Sequence, residues 1–223
     1  MHQEMLRVVR HEAVPDAFTR AIGEVEALVA AVRPEQLAAP TPCSEFDVRA
    51  LINHLIFENL AHAALADGAA IPAPDRTTDY VGGDHVAAYR ASARAVRAAF
   101  ARPGMVTQQY GPLEAPGSML VQQLVIELLS HGWDLASATG QRTDLAPDVA
   151  EDALLVARSW YRDQPRGPGN AFGPEQRVPT DASAADRLAA YLGRVVECPL
   201  PSQGRGHVAF DRLRDRCGWS AGT

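Results

Sequence analysis

A chain of 223 residues that is 47% hydrophobic and 22% charged has the composition of a globular protein with one sizeable core. Its formal net charge of −6 argues against a nucleic-acid binder, which needs a basic surface. All 21 basic residues are arginine, which excludes lysine-based chemistry such as a Schiff base or a P-loop.

Apolar runs are short, as in Ala153 to Ala157, so no membrane span is expected. Met1 to Arg10 contains neither an apolar h-region nor a small-residue cleavage site, and the three cysteines do not suit a disulfide framework. The expected compartment is the cytoplasm.

Apolar spacing of three and four predicts a first helix over Asp16 to Val32, with Pro34 stopping it or opening a short extra turn. Pro40 to Asp47 forms a punctuated entry to a second helix, with Ser44 and Asp47 fitting a loose capping box or Asp47 itself as N-cap. That helix runs from Asp47 to Ala66. Asp67 to Gly83 reads as loop, and Asp84 caps a third helix reaching Phe100. Val106 to Tyr110 reads as a short strand or an extended crossover. A fourth helix over Ser118 to Thr139 is stopped by Gly140, and a fifth starts near Pro147 and reaches Trp160. Gln164 to Thr180 is dense in Gly and Pro and reads as loop, followed by a last helix over Ala184 to Val196. The expected architecture is mostly α: an antiparallel four-helix bundle over residues 1–196 with extra C-terminal helices. Residues 197–223 form a tail that packs on the bundle or on a partner.

The fourth helix carries the chemistry. Leu120, Val121, Leu124, Val125, Leu128, Leu129 and Leu135 cover half the wheel, with Ile126 and Trp133 opposite, so the helix is apolar nearly all round and central. Against that background Glu127, His131 and Asp134 fall at i, i+4 and i+7, one polar stripe on a helix that wants burial. An unpaired buried carboxylate costs several kcal/mol, and a divalent cation relieves the cost by taking Glu oxygen and neutral His nitrogen as ligands. The alternative is an intrahelical Glu–His hydrogen bond. His54, Glu58 and His62 make a second stripe on the second helix, at i, i+4 and i+8. His54 meeting Glu127 and His131 gives a three-ligand site with open positions, the pattern of a catalytic metal; alternatively His54 is a partly exposed interfacial residue. Glu58 and His62 are expected to be solvated or to support the ligands from behind.

Two motifs also carry a resemblance. Thr41 to Leu55 (TPCSEFDVRALINHL) and Glu127 to Ala136 (ELLSHGWDLA) resemble the DinB/YfiT-like metal-binding superfamily, in the branch of the mycothiol-dependent maleylpyruvate isomerase N-terminal domain. Asp181 to Leu188 resembles the end of single-domain members. The resemblance implies a four-helix bundle with a divalent metal held by His54, Glu127 and His131, the set that periodicity selects. Zinc suits two imidazoles and a carboxylate, with nickel or iron as alternatives. Phe46 stands where the pattern usually has Trp, and Phe57 stands where a small residue is common.

The resemblance further implies a low-molecular-weight thiol such as mycothiol as cosubstrate, activated for S-transfer to, or isomerisation of, a small electrophile. Asp134 is the candidate catalytic residue, orienting a ligand or relaying a proton. Arg49, Asn53, Asn59 and Asp134 are candidate contributors to a thiol pocket. The rival functions are a metal-dependent lyase, cyclase or hydrolase without thiol, and a non-catalytic bundle that binds a small molecule or a metal. A third rival is an interaction protein using the tail. The expected partners are small molecules, without nucleic acid or membrane, in a monomer or homodimer. Cys43 at the approach to the second helix invites a low-pKa reading, but is expected to be a small buried packing residue. Trp133 and Trp160 are expected in the core or a pocket wall, and His2, His11, His85 and His207 as solvated or local cap partners. Ser130 lacks a G-x-S-x-G elbow, and Pro165 to Pro174 lacks a dinucleotide fingerprint.

Overall fold

The structure is a computed structural model that describes residues 14–69, 77–111 and 114–196. The expectations for His2, His11, His207 and the tail from residue 197, which holds two of the three cysteines, lie outside the described residues.

Six helices follow in order: α1 (Val14–Ala31), α2 (Val48–Ala66), α3 (His85–Phe100), α4 (Gly117–Thr139), α5 (Pro147–Trp160) and α6 (Ala184–Tyr191). A 3₁₀ turn at Pro34–Gln36 realises the extra turn that Pro34 invites. Asp47 caps α2 by accepting from the Ala50 amide, and Asp84 caps α3 by accepting from the Ala87 amide. Gly140 closes α4 at φ 70°, the left-handed conformation that favours glycine. The stretch left between strand and crossover becomes a two-residue strand, β1 (Gln109–Tyr110), paired antiparallel with β2 (Ala115–Pro116).

Helices α1 to α4 pack as a bundle, while α5 and α6 pack on each other and against α4. α2 and α4 are buried on nearly every side, so they are the central helices, and polar groups on them sit inside the fold. Leu51, Ile52, Leu55, Leu124, Val125 and Leu128 are wholly inaccessible. Burying each such side chain contributes about 1.5–3 kcal/mol. One glycine sets how closely α1 approaches α4. A Cβ on Gly132 would lie 2.9 Å from Val25 Cγ2 and 3.2 Å from Leu145 Cδ1, so any larger residue beside His131 would push these side chains aside. Arg97 on α3 reaches Glu26 on α1 at 2.8 Å, a surface pair of modest worth.

The last helix is shorter than its periodicity predicts, ending at Tyr191 and not at Val196. The cause is Gly193 at φ 99°, where the amides of Gly193 and Arg194 turn back to the carbonyls of Ala190 and Ala189, both at 3.0 Å. This is a Schellman closure, and the apolar Val195 and Val196 beyond it had simulated another turn.

Candidate metal and thiol site

The entry loop to α2 is tied before the helix begins. Thr41 Oγ1 donates to the carbonyls of Cys43 and Phe46, Phe46 N donates to Cys43 O, and Pro40 bridges to Asp47. The knot lays the Phe46 ring on the His54 imidazole, with centroids 5.1 Å apart and planes 18° from parallel. One turn further along α2, Glu58 lies behind the same imidazole, its Oε1 4.0 Å from His54 Nδ1.

From α4, Glu127 and His131 face His54 across the helix interface. His54 Nε2 is 4.0 Å and His131 Nε2 3.4 Å from the same oxygen, Glu127 Oε2. The two imidazole centroids are 4.8 Å apart and nearly perpendicular. One ligand atom from each of the three residues lies within 4.8 Å of the others. Donors in a tetrahedral zinc site, each at about 2.0–2.2 Å from the ion, are roughly 3.3–3.6 Å from one another, so the observed spacing is close to what a small cation needs. Behind His131, Nδ1 is 3.1 Å from Asp134 Oδ2, and Asp134 is fully buried. Both imidazoles therefore present Nε2 to one carboxylate oxygen while a second carboxylate lies behind Nδ1, the arrangement that fixes the tautomer of a metal-binding histidine. The donor set fits a divalent cation.

Electrostatics reflect the crowding. Burial pushes Glu127 up, but the hydrogen bond and charge of His131 outweigh it and hold the carboxyl low, at about 2. Burial pulls His131 down, and its hydrogen bonds to Asp134 and Glu127 more than reverse this, raising it to about 9. Burial, with Glu127 close by, raises Glu58 to about 7. His62, expected to be solvated or supporting, is in fact buried at 5% exposure, with Nδ1 2.9 Å from its own helix carbonyl at Glu58 and 3.5 Å from Glu58 Oε2. Desolvation lowers its pKa.

The cluster opens into a cavity of about 870 Å³. Its walls come from the entry loop at Cys43 and Phe46, from α2 at Asn53 and Phe57, and from the glycine-rich loop at 167–173 with Gly193 and Arg194. Phe57, standing where the family pattern commonly has a small residue, forms part of this wall. Arg166 fastens the loop, donating to the carbonyls of Gly173 at 3.1 Å and Tyr191 at 2.6 Å with its guanidinium over the Tyr191 ring.

Several sequence assignments change. Cys43 is not a buried packing residue: it is partly exposed, lines the cavity, and lies close to His131 and Asp134. Nor is its thiol acidic, because burial raises it and the nearby Arg194 only partly opposes this. Arg49 is engaged by Asp79 at 2.8 Å and Gly82 O at 3.0 Å, and Asn59 is fully buried against Ser92 at 3.0 Å, so neither faces the cavity. Asn53 does line it, yet its amide is spent on Thr78 O at 2.9 Å and on the amide of Tyr80 at 2.7 Å. His85 is no local cap but reaches Val32 O at 3.2 Å, tying α3 to the end of α1. Trp133 is buried and donates to Asp186 at 2.7 Å, joining α4 to α6.

Sequence reasoning missed Arg194. Its Nη2 and Nε grip Asp134 Oδ2 and Oδ1 at 2.9 and 3.2 Å, in a nearly buried fork. The one available signal was Gly193, whose position before Arg194 marks a helix end rather than a helix interior.

A helical bundle whose two central helices converge two imidazoles and a carboxylate on one point belongs to the class of bundle proteins with an interhelical metal-type site. Within that class, residues 18–136 match the mycothiol maleylpyruvate isomerase N-terminal domain family, and the chain belongs to it. It is also 39% identical over 191 residues to uncharacterized proteins of Mycobacterium tuberculosis strains CDC 1551 and H37Rv, covering 85% of this chain and 98% of each relative. No solved structure gives a significant match. Among the described residues no helix is long and apolar enough to cross a membrane.

Proposed function

We propose that this protein is a divalent-metal-dependent enzyme that activates a low-molecular-weight thiol of the mycothiol type for S-transfer to, or isomerisation of, a small electrophile. The observation that carries this reading is the aim of His54 Nε2 and His131 Nε2 at the same Glu127 oxygen, at the floor of an open cavity. His54, Glu127 and His131 hold the cation, zinc being the best match to two imidazoles and a carboxylate, with nickel or iron as alternatives. When bound there, the cation supplies the Lewis acidity that makes thiolate available near neutral pH.

The chain's own residues do the remaining work. Phe46 covers one face of His54 and excludes water from that side. With a cation in place of the Nε2 proton, Asp134 accepts the hydrogen bond from His131 Nδ1–H, which would leave the Nε2 lone pair directed at the site. A cavity of about 870 Å³ has room for a sugar-bearing thiol together with a small electrophile, since small-molecule pockets span roughly 300–1,000 Å³. Membership of a family named for a mycothiol enzyme supports the thiol class.

Elemental analysis of the purified chain, beside the His54→Ala/His131→Ala variant, tests the ligand set. Stoichiometric metal in the wild type and none in the variant is the expected result, and full metal in the variant rejects it. Consumption of mycothiol with a panel of epoxides, conjugated alkenes and activated halides then tests turnover. Tight metal binding with no consumption of thiol or electrophile favours a non-catalytic binder.

A further inference from the structure

The family match ends at residue 136, but the site does not. Behind Glu127 and His131, the last polar partner in line comes from beyond α6. The chain leaves α6 through Gly193 at φ 99°, where a Cβ would lie 2.5 Å from Gly173 Cα and 2.6 Å from Gly173 N. Two glycines thus cross backbone to backbone, and no side chain can stand between them. Gly173 in turn is held by Arg166, so the crossing point is fixed on both strands.

From that crossing Arg194 enters the protein. Nη1 donates to Leu192 O at 3.2 Å, which steadies the guanidinium, while Nε and Nη2 take both oxygens of Asp134. Two roughly parallel N–H donors set the plane of a carboxylate as well as its place. Asp134 Oδ2 is shared: the same oxygen lies 3.1 Å from His131 Nδ1. An imidazole ring is oriented by the partner of its other nitrogen, and here that partner is itself clamped. Glu45 and Cys43 line the cavity nearby, with Cys43 close to Asp134, and Glu127 acts on both His131 and Arg194.

We infer that Arg194 is a positioning residue: through Asp134 it fixes the His131 ring, so that the segment after residue 136 completes the site in the same chain. The inference rests on the metal reading given above for its functional meaning, but its structural content is the orientation of one imidazole.

Two variants test it in the full-length chain. Arg194→Gln removes the charge and the fork. Arg194→Lys keeps a charge against Asp134, so that the fold survives, but cannot grip both oxygens. Zinc affinity is read by competition with a chromophoric chelator, and the His131 ring nitrogens of the metal-free protein by ¹⁵N-resolved NMR. Arg194→Lys is expected to lower zinc affinity on the order of 10- to 100-fold, as loss of an outer hydrogen-bond partner does. It is also expected to shift the His131 ring resonances, with circular dichroism unchanged. Wild-type affinity and wild-type ring resonances in Arg194→Lys would overturn the inference. If the wild type takes up no zinc at all, the metal reading fails, and the ring resonances decide for Arg194: a shift in the variants supports its positioning role, and unchanged resonances refute it.

Discussion

Asp134→Asn is the perturbation for which the structure gives the clearest magnitude. The native carboxylate is wholly buried and engaged on both oxygens, by Arg194 at 2.9 and 3.2 Å and by His131 at 3.1 Å. Asparagine keeps the shape but turns one acceptor into a donor facing other donors, and leaves Arg194, only 11% exposed, without its counter-charge. Breaking a buried pair in this way costs about 3–5 kcal/mol, a large share of a typical stability of about 5–15 kcal/mol. Urea unfolding of chelator-treated protein, followed by circular dichroism, measures it. Adding Arg194→Met to the same chain removes the stranded charge, so the double variant is expected to be more stable than Asp134→Asn alone. A loss below about 1 kcal/mol, the worth of an exposed pair, would refute the burial argument. So would a double variant as unstable as the sum of the two single ones.

Gly193→Ala combines a disfavoured positive φ with overlap on Gly173 backbone atoms, and is expected to cost about 2–5 kcal/mol in urea unfolding and to weaken zinc binding as Arg194 variants do. Loss of stability without any change in zinc affinity would separate the glycine crossing from the site. The metal-free protein is expected to lose stability between about pH 7 and 9. His131 is raised to about 9 in the folded state, so its contribution is complete below its unfolded value of about 6.5 and disappears as pH rises through 9. Glu58, raised to about 7, acts in the same sense at lower pH, and His62, lowered by burial, acts against it there, so the alkaline window belongs to His131. Urea midpoints that stay level or rise across that window would contradict this. Zinc at 100 times the wild-type dissociation constant is expected to stabilise the wild type by about 2.7 kcal/mol and His131→Ala by clearly less, because one ligand is lost and binding is weaker. Equal stabilisation of both in thermal melts would place the ion elsewhere.

Much of this was written in local sequence. The helices of the bundle follow from apolar spacing, and their ends from chemistry with one address: Asp47 and Asp84 as caps, Gly140 and Pro147 at a stop and a start. The stripe Glu127, His131 and Asp134 stands out because the rest of α4 is apolar nearly all round. What periodicity cannot convey is depth on the second helix. Glu58 and His62 look like an exposed edge of α2 on a wheel, yet α4 covers that edge, and burial there depends on which helix lies opposite. Arg194 was hidden for a different reason. Its partner lies sixty positions earlier, and the alanine- and valine-rich run on either side of Gly193 imitates a continuing helix, so one glycine had to outweigh several apolar residues. Cys43 misleads in the same way, because a helix entry suggests an acidic thiol while the surrounding protein desolvates it.

Zinc-edge X-ray absorption of the metal-loaded chain tests the central claim most directly. The account predicts a shell with two imidazole nitrogens and a carboxylate oxygen, and the loss of one imidazole in each of His54→Ala and His131→Ala. A spectrum dominated by sulfur, or one that neither substitution alters, would contradict it.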